Sequence, residues 1–111
     1  MEIKQFDIWL ANLNPSKGTE PGKKRPVVIV QTDLLNEFHL STLICPVTTN
    51  VQSQIDHLRV HLTKGQLDDL SDVLVDQIRA IDNARLISKL GRLTQAQQLK
   101  LKANLRVMLD L

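Results

Sequence analysis

The sequence has few of the residues on which several classes of small protein depend. It contains a single cysteine, Cys45, which cannot form an internal disulfide and fits a reducing compartment. Tyrosine is absent and aromatic residues make up only 3% of the chain, too few to stack many unpaired bases. No apolar run approaches the roughly 20 residues that cross a bilayer, and the N-terminus lacks the apolar segment of a secretory signal. We therefore expect a cytoplasmic protein that does not associate with membranes.

The motifs of several common enzyme classes are also absent. The chain has no Walker phosphate loop, no dinucleotide fingerprint, no nucleophile elbow and no paired CxxC. His57 and His61 are four residues apart, and on a strand they would be roughly 13 Å apart at about 3.3 Å per residue. We therefore predict no metal site and no cofactor, and we interpret both histidines as solvated surface residues.

The bulk composition predicts one folded domain over residues 1–111. Hydrophobic residues make up 42% of the chain and charged residues 23%, which suits a domain with one core rather than a disordered tail. The net charge of +2 permits a polyanionic partner but does not require one.

The most informative segment is residues 14–26. It is rich in glycine and proline and carries Lys17, Lys23, Lys24 and Arg25 against the single acid Glu20. A loop of this length is usually functional or disordered, because most connections run about four to six residues. The segment ends in three cations directly before a buried apolar run, which is a suitable place to bind a phosphate.

Hydrophobic patterning predicts about five short, mostly antiparallel strands. The predicted strands are residues 6–13, 26–31, 42–48, 57–62 and 73–81. In the first strand, alternation predicts that Phe6, Ile8 and Leu10 share the buried face. Pro46 marks the third strand as an edge strand or the site of a bulge. Short helical turns are expected at residues 34–39 and 83–88.

A helix is predicted at the C-terminus. Thr94 and Gln97 match a capping box, with a hydroxyl at the N-cap and an amide three residues later. Two apolar ridges follow, one through Leu101 and one through Leu99, which suggests contacts on two sides of the helix. The elements together predict a small barrel-like domain of the all-β to α+β class.

Three features are candidates for chemistry, and each also has a plainer structural interpretation. Arg25 is either a surface cation at a strand end or a guanidinium that binds a phosphate and stabilises its transition state. Thr48 and Thr49 either form a turn or direct hydroxyls toward the group that Arg25 holds. Asp76 lies inside a predicted strand, where a carboxylate must be paired, hydrogen-bonded or functional.

Four motifs, in this order and at this spacing, resemble the MazF/PemK/Kid family of toxins. They are Phe6-Asp7-Ile8-Trp9-Leu10 with residues 13–20, Arg25-Pro26-Val27-Val28-Ile29-Val30, Pro46-Val47-Thr48-Thr49, and residues 76–82. The resemblance extends over the whole chain, including the predicted C-terminal helix.

The resemblance implies a homodimeric endoribonuclease toxin, an mRNA interferase, of a type II toxin–antitoxin system. The implied fold is an SH3-like barrel of the plasmid-maintenance toxin type, with five to seven antiparallel strands and a C-terminal helix. In such an enzyme the ribose 2′-OH of single-stranded RNA attacks the adjacent phosphate without a metal, leaving 2′,3′-cyclic phosphate and 5′-OH ends. The implied partner is an antitoxin whose acidic, disordered C-terminal tail folds onto the toxin.

Matched position by position, the resemblance implies catalytic roles for Arg25, Thr48 and Asp76. Arg25 would stabilise charge or donate a proton, and Thr48 would hold the phosphate or relay a proton. Asp76 corresponds to an aspartate with an acid–base role in the Kid branch. The residues predicted to bind RNA are Lys17, Gly18, Thr19, Glu20, Lys24, Thr49, Gln77 and Arg79.

The sequence departs from the family pattern at several positions. Phe6 replaces a usual glycine, and Thr19 and Leu74 replace a histidine and an arginine of the Kid branch. The acid–base scheme of that branch therefore cannot be transferred whole. Two alternatives stay open: a CcdB-like toxin that binds DNA gyrase without cutting RNA, and a catalytically inert barrel that only binds RNA or an antitoxin.

Overall fold

The structure is a computed structural model that describes residues 2–15, 18–19 and 23–111. Within these residues the chain forms two α-helices, α1 (Asp33–Asn36) and α2 (Gln95–Leu109). Two single 3₁₀ turns, Val75–Gln77 and Asn83–Arg85, connect strands. The strands are β1 (Asp7–Asn12), β2 (Lys24–Ile29), β3 (Ser41–Thr48), β4 (Arg59–His61), β5 (Asp72–Leu74), β6 (Arg79–Asp82) and β7 (Leu86–Arg92).

The seven strands form one antiparallel sheet in the order β4-β5-β3-β2-β1-β7, and β6 pairs with β3. The predicted antiparallel pairing and terminal helix are confirmed, and the seven strands agree with the five to seven that the family resemblance implies, whereas patterning alone predicted about five. The sheet is open rather than closed, because β4 and β7 at its two ends do not pair with each other within the described residues.

The central strands are buried on both faces. One apolar cluster includes Ile8, Val28 and Leu101 of α2, and the other includes Trp9 and Val27. The expectation that β1 buries only one face is therefore wrong, because consecutive residues of β1 pack into different clusters. A strand covered on both sides does not show the alternation of a half-buried strand.

The prediction that Pro46 marks an edge or a bulge is also wrong. β3 is central and pairs with β2 on one side and with β5 and β6 on the other. Its pairing with β6 ends at Ile44 and its pairing with β5 begins at Val47. The Leu43 carbonyl accepts from Val30 on the β2 side, so by alternation the nitrogen of Pro46 faces the gap between β6 and β5. Because no strand pairs with β3 at this gap, the missing N–H of Pro46 costs the sheet no inter-strand hydrogen bond.

The single strand predicted over residues 73–81 is interrupted. β5 ends at Leu74, the chain makes the 3₁₀ turn Val75–Gln77, and β6 begins at Arg79. Asp76 is exposed on this turn, so its predicted position inside a strand is wrong. The apolar pattern suggests one continuous strand because Val75 and Ile81 are both buried, although Val75 belongs to the 3₁₀ turn and Ile81 to β6. β7 was not predicted, because most of its residues are exposed and alternation is weak.

Helix α2 begins as the sequence predicts. The Thr94 hydroxyl accepts from the Gln97 amide, and the Gln97 side chain accepts from the Thr94 amide at 2.9 Å. Leu101 is fully buried against the sheet, whereas Leu99 and Val107 of the second ridge are 62% and 76% exposed. Neither described helix is long and apolar enough to cross a membrane.

Candidate functional site

A groove of about 690 Å³ opens where β2 begins and β3 ends. One wall consists of residues 23–26, the floor of residues 47–50, and the opposite wall of residues 65–69. Leu10, Ser71 and Leu90 complete the lining. The groove therefore combines the start of one central strand, the end of its neighbour and a loop that contains glycine.

The pairing of β2 with β3 brings Arg25 and Thr48 together. Val27 lies opposite Pro46 in this antiparallel ladder. Continuing the register by two residues places Arg25 opposite Thr48, at the mouth of the groove. The Arg25 Nη1 donates to the Val47 carbonyl at 3.4 Å, and this contact holds the half-buried guanidinium against the end of β3.

The orientation of the Thr48 side chain is fixed by the loop that follows it. The backbone N–H of Asn50 donates to Thr48 Oγ1 at 3.1 Å. Because the oxygen accepts this bond, the hydroxyl hydrogen is left to donate to a ligand. Thr48 therefore offers the groove a hydrogen-bond donor beside a guanidinium, a combination suited to the oxygens of a phosphate.

Charges of opposite sign lie on the two walls of the groove. Lys23, Lys24 and Arg25 provide cations on the β2 wall, and Asp68 and Asp69 lie on the other. A polyanion would be attracted to the first wall and repelled by the second. The described residues contain no group of three or more His, Cys, Asp or Glu side chains that could hold a metal ion.

A buried ionic cluster lies beside the floor of the groove, where Asp72 pairs with Thr48 in the ladder between β5 and β3. The Asp72 carboxylate has no exposed surface and accepts from Arg59 Nη1 at 2.9 Å and from His61 Nδ1 at 2.7 Å. It also accepts from the backbone N–H of Gln52 at 3.0 Å. Arg59 Nη1 donates in addition to the carbonyl of Asn50 at 2.9 Å.

The cluster shifts the titration of both of its acid–base groups. Burial alone would raise the pKa of Asp72, but the hydrogen bonds from Gln52, His61 and Arg59 outweigh it and hold the pKa below its ordinary value. The hydrogen bond to Asp72 raises the pKa of His61 despite partial burial, and Asp56 at 3.4 Å acts in the same direction.

Only part of the predicted site lies together in the groove. Arg25, Thr48, Lys24 and Thr49 all line it. Asp76 and Gln77 lie on the 3₁₀ turn and Arg79 begins β6, and these three side chains do not line the groove. Among the loop residues, Gly18 adopts a φ of +56° and Thr19 is exposed, while Lys17 and Glu20 lie outside the described residues.

The sequence interpretation missed Asp72 and misjudged His61. The predicted strand over residues 73–81 leaves Asp72 outside it, and the interpretation of His61 as a solvated surface residue does not hold, because Asp72 opens β5 and His61 binds it. The available signal was the pair Arg59 and His61 on one face of a strand, since two cationic side chains that share a face attract a carboxylate from the neighbouring strand.

Comparisons with known proteins match nearly the whole chain. The family model described as a PemK-like, MazF-like toxin of type II toxin–antitoxin systems matches residues 4–109. Endoribonuclease MazF of Staphylococcus epidermidis is 33% identical over 111 residues, which cover 98% of this chain and 92% of that protein.

Solved structures share the fold. MazF from Deinococcus radiodurans superposes with a TM-score of 0.87 at 21% identity, covering 100% of this chain and 99% of the other. A mycobacterial endoribonuclease in complex with its cognate antitoxin superposes with a TM-score of 0.80 at 20% identity, covering 98% and 96% of the two chains.

Proposed function

This chain belongs to the PemK-like, MazF-like toxins of type II toxin–antitoxin systems, and on that premise we propose that it is an endoribonuclease that cleaves single-stranded RNA in the groove of Arg25 and Thr48. The observation that carries the proposal is the side-by-side position of these two residues at the ends of β2 and β3. A guanidinium and a hydroxyl donor at one point of a groove suit a scissile phosphate.

In the proposed reaction the nucleophile comes from the substrate. The ribose 2′-OH loses its proton to a general base and its oxygen bonds to the adjacent phosphorus. The bond from phosphorus to O5′ breaks, and O5′ takes up a proton. The products are a 2′,3′-cyclic phosphate and a 5′-OH end, and the reaction needs no metal where side chains supply the base, the acid and the cation on the phosphoryl oxygens. Single-stranded RNA is favoured because the 2′-OH must reach an in-line position.

Arg25 and Thr48 would act on the charge that builds on the phosphoryl oxygens. The guanidinium of Arg25 can donate two parallel hydrogen bonds to those oxygens. The Thr48 hydroxyl hydrogen can donate a third, because its oxygen is already held by the Asn50 amide. Either residue could also pass a proton to the leaving O5′.

The other predicted residues would act around the scissile phosphate. Lys24 and Thr49 line the groove and would bind flanking phosphates. Asp76 as a catalytic acid or base would have to reach the phosphate from the exposed turn Val75–Gln77. Gln77 and Arg79 would contact RNA outside the groove. Lys17, Gly18, Thr19 and Glu20 would form a further RNA-binding segment.

The proposed partners follow from the family and from the charges of the groove. The mycobacterial relative is described in complex with its cognate antitoxin. We propose that an acidic antitoxin tail binds the cationic wall of Lys23, Lys24 and Arg25 and competes with RNA there. We further propose that the protein acts in the cytoplasm as a homodimer.

The test is to incubate the purified protein with single-stranded RNAs of several sequences in EDTA and to identify the ends. We expect 2′,3′-cyclic phosphate and 5′-OH ends from wild type, and formation of these ends about 10³-fold more slowly by Arg25→Ala. Arg106→Ala is the matched control, because it removes an exposed arginine of α2, and it should cut normally. Intact RNA with a folded wild-type protein that still arrests growth would favour the gyrase-binding alternative.

A further inference from the structure

The Thr48 side chain is connected to a buried carboxylate that the proposed reaction does not use. We propose that Asp72 is a positioning residue, which fixes the Thr48 hydroxyl in the groove by way of Arg59 and Asn50. The catalytic part of this inference rests on the proposed endoribonuclease function. The structural part, that Asp72 holds the floor of the groove, does not.

The connection consists of three hydrogen bonds in series. Asp72 Oδ2 accepts from Arg59 Nη1 at 2.9 Å, and the same Nη1 donates to the Asn50 carbonyl at 2.9 Å. The N–H of Asn50 then donates to Thr48 Oγ1 at 3.1 Å. Asn50 is therefore bound through both of its backbone polar groups, one toward the ionic cluster and one toward the groove.

A second bond fixes the same segment independently. The N–H of Gln52 donates to Asp72 Oδ2 at 3.0 Å. Asp72 thus holds the chain at Gln52 directly and at Asn50 through Arg59. The backbone between β3 and β4 forms neither helix nor strand, so it has no ladder of its own to define its shape. These hydrogen bonds hold the backbone of residues 50–52 in place, as the hydrogen bonds of a helix or a sheet do in regular structure.

The geometry argues for positioning rather than for chemistry at Asp72. Its carboxylate has no exposed surface and its oxygens are occupied by three donors, so it does not contact a substrate in the groove. Loss of the charge would loosen residues 48–52 and let the Thr48 hydroxyl rotate. Pre-organised donors contribute to the rate mainly because they are already aligned when charge develops.

Asp7 provides a matched control within the same chain. It is also a carboxylate with no exposed surface, and it also accepts from one backbone N–H, that of Lys4 at 3.2 Å. Its cationic partners are Arg92 at 3.1 Å and Lys89 at 3.4 Å. Asp7 pairs with β7 and does not line the groove. A loss of activity caused only by a loss of buried charge would therefore appear in both variants.

The experiment compares Asp72→Asn with Asp7→Asn in kcat, KM and amide hydrogen exchange. Both variants should lower the melting temperature. We expect Asp72→Asn to lower kcat about tenfold or more while KM stays within about threefold, since misplacement of a reacting group affects the chemical step. Asp7→Asn should keep the wild-type kcat. Equal kcat in the two folded variants would overturn the proposal.

A second variant covers the case in which Asp72→Asn does not fold. Arg59→Gln removes the link to Asn50 but keeps Asp72 bound to His61 and Gln52, and it should reproduce the loss of kcat. Arg59→Lys should restore part of it, because an ammonium can reach one of the two acceptors. Wild-type kcat in a folded Arg59→Gln protein would overturn the proposal.

Hydrogen exchange separates this inference from the proposed function. The amides of Asn50 and Gln52 should exchange faster in Asp72→Asn than in wild type, and should be unchanged in Asp7→Asn. This readout needs no RNA, so it supports or overturns the structural part even if the wild-type protein cuts no RNA. Unchanged exchange at both amides in Asp72→Asn would overturn it.

Discussion

Asp72 lies directly opposite Thr48 in the ladder between β5 and β3. One rung of the sheet therefore carries a fully buried carboxylate at one end and a half-buried groove hydroxyl at the other. Because the loop after Thr48 returns to bind Asp72 through Gln52 and Arg59, the rung and the loop form one hydrogen-bonded unit. The shape of the groove therefore depends on the ionic cluster beside it.

Substituting Arg25 by lysine should weaken cleavage without abolishing it. A lysine keeps the charge but loses the planar fork, so it can make only one of the paired hydrogen bonds to the phosphoryl oxygens. We expect kcat to fall about 10²-fold for Arg25→Lys and about 10³-fold for Arg25→Ala. Single-turnover cleavage of a defined oligonucleotide measures both values. Equal rates for lysine and wild type would show that Arg25 acts only as a point charge.

Replacing the Thr48 hydroxyl by a methyl group should lower the rate with little change in fold. Thr48→Val keeps the branched shape but removes both the acceptor for Asn50 and the donor to the phosphate. We expect kcat to fall about 10²-fold and stability to fall by about 1 kcal/mol. Ser88→Ala is the control, since it removes an exposed hydroxyl of β7 that does not line the groove. If the two variants have the same kcat, the hydroxyl of Thr48 has no special role.

The His61–Asp72 pair should make stability depend on pH in a defined window. The folded pKa of His61 is raised by Asp72, so its contribution is full below the unfolded value of about 6.5 and is lost as pH rises through the folded pKa. The folded pKa of Asp72 is lowered, so its contribution is present above the ordinary aspartate value and is lost as pH falls through the folded pKa.

Urea denaturation from about pH 6 to about pH 9 tests the histidine half of this prediction. The free energy of unfolding of wild type should fall with rising pH by more than that of His61→Gln. The groups that face His61 are Asp72 and Asp56, with Arg59 beside them on β4. His57→Gln removes an exposed histidine and should keep the wild-type slope. A His61→Gln protein with that same slope would contradict the prediction.

Removing the capping box should destabilise α2 without affecting cleavage. Thr94→Ala deletes the hydroxyl that accepts from the Gln97 amide and should cost about 1 kcal/mol of unfolding free energy. Thr94→Ser retains the oxygen and should stay close to wild type. Chemical denaturation gives the stability, and kcat should be unchanged in both variants because Thr94 does not line the groove.

The sequence was sufficient to predict the part of the site that depends on neighbouring strands. Arg25 precedes one apolar run and Thr48 ends another, and antiparallel pairing brings the start of one strand beside the end of its neighbour. The family resemblance and the C-terminal helix were likewise predicted and are confirmed. The strand ends follow from short apolar runs and the helix start follows from its capping box, and both are patterns of neighbouring residues.

The ionic cluster could not be predicted in the same way. Asp72 takes its partners from Gln52, Arg59 and His61, which are 20, 13 and 11 residues away, and no local pattern indicates those contacts. Asp76 was misplaced for a related reason. A continuous apolar run resembles one strand. Here Val75 packs into one apolar cluster and Ile81 into the other, and the chain turns between them at residues 75–77.

The change of partner at Pro46 has a consequence for how such a protein can diversify. Within the described residues, β4 and β5 pair with the rest of the sheet only through β3, by way of two register pairs at Val47 and Thr48. Residues 49–74, which include the Asp-rich wall of the groove, thus join the sheet through one short ladder, while Val60 and Val73 within them pack into the same apolar cluster as Ile8 and Leu101. A chimera that takes this segment from a relative must therefore also take the core side chains of β1 and α2 that pack against it, because the short ladder alone does not hold the segment in place.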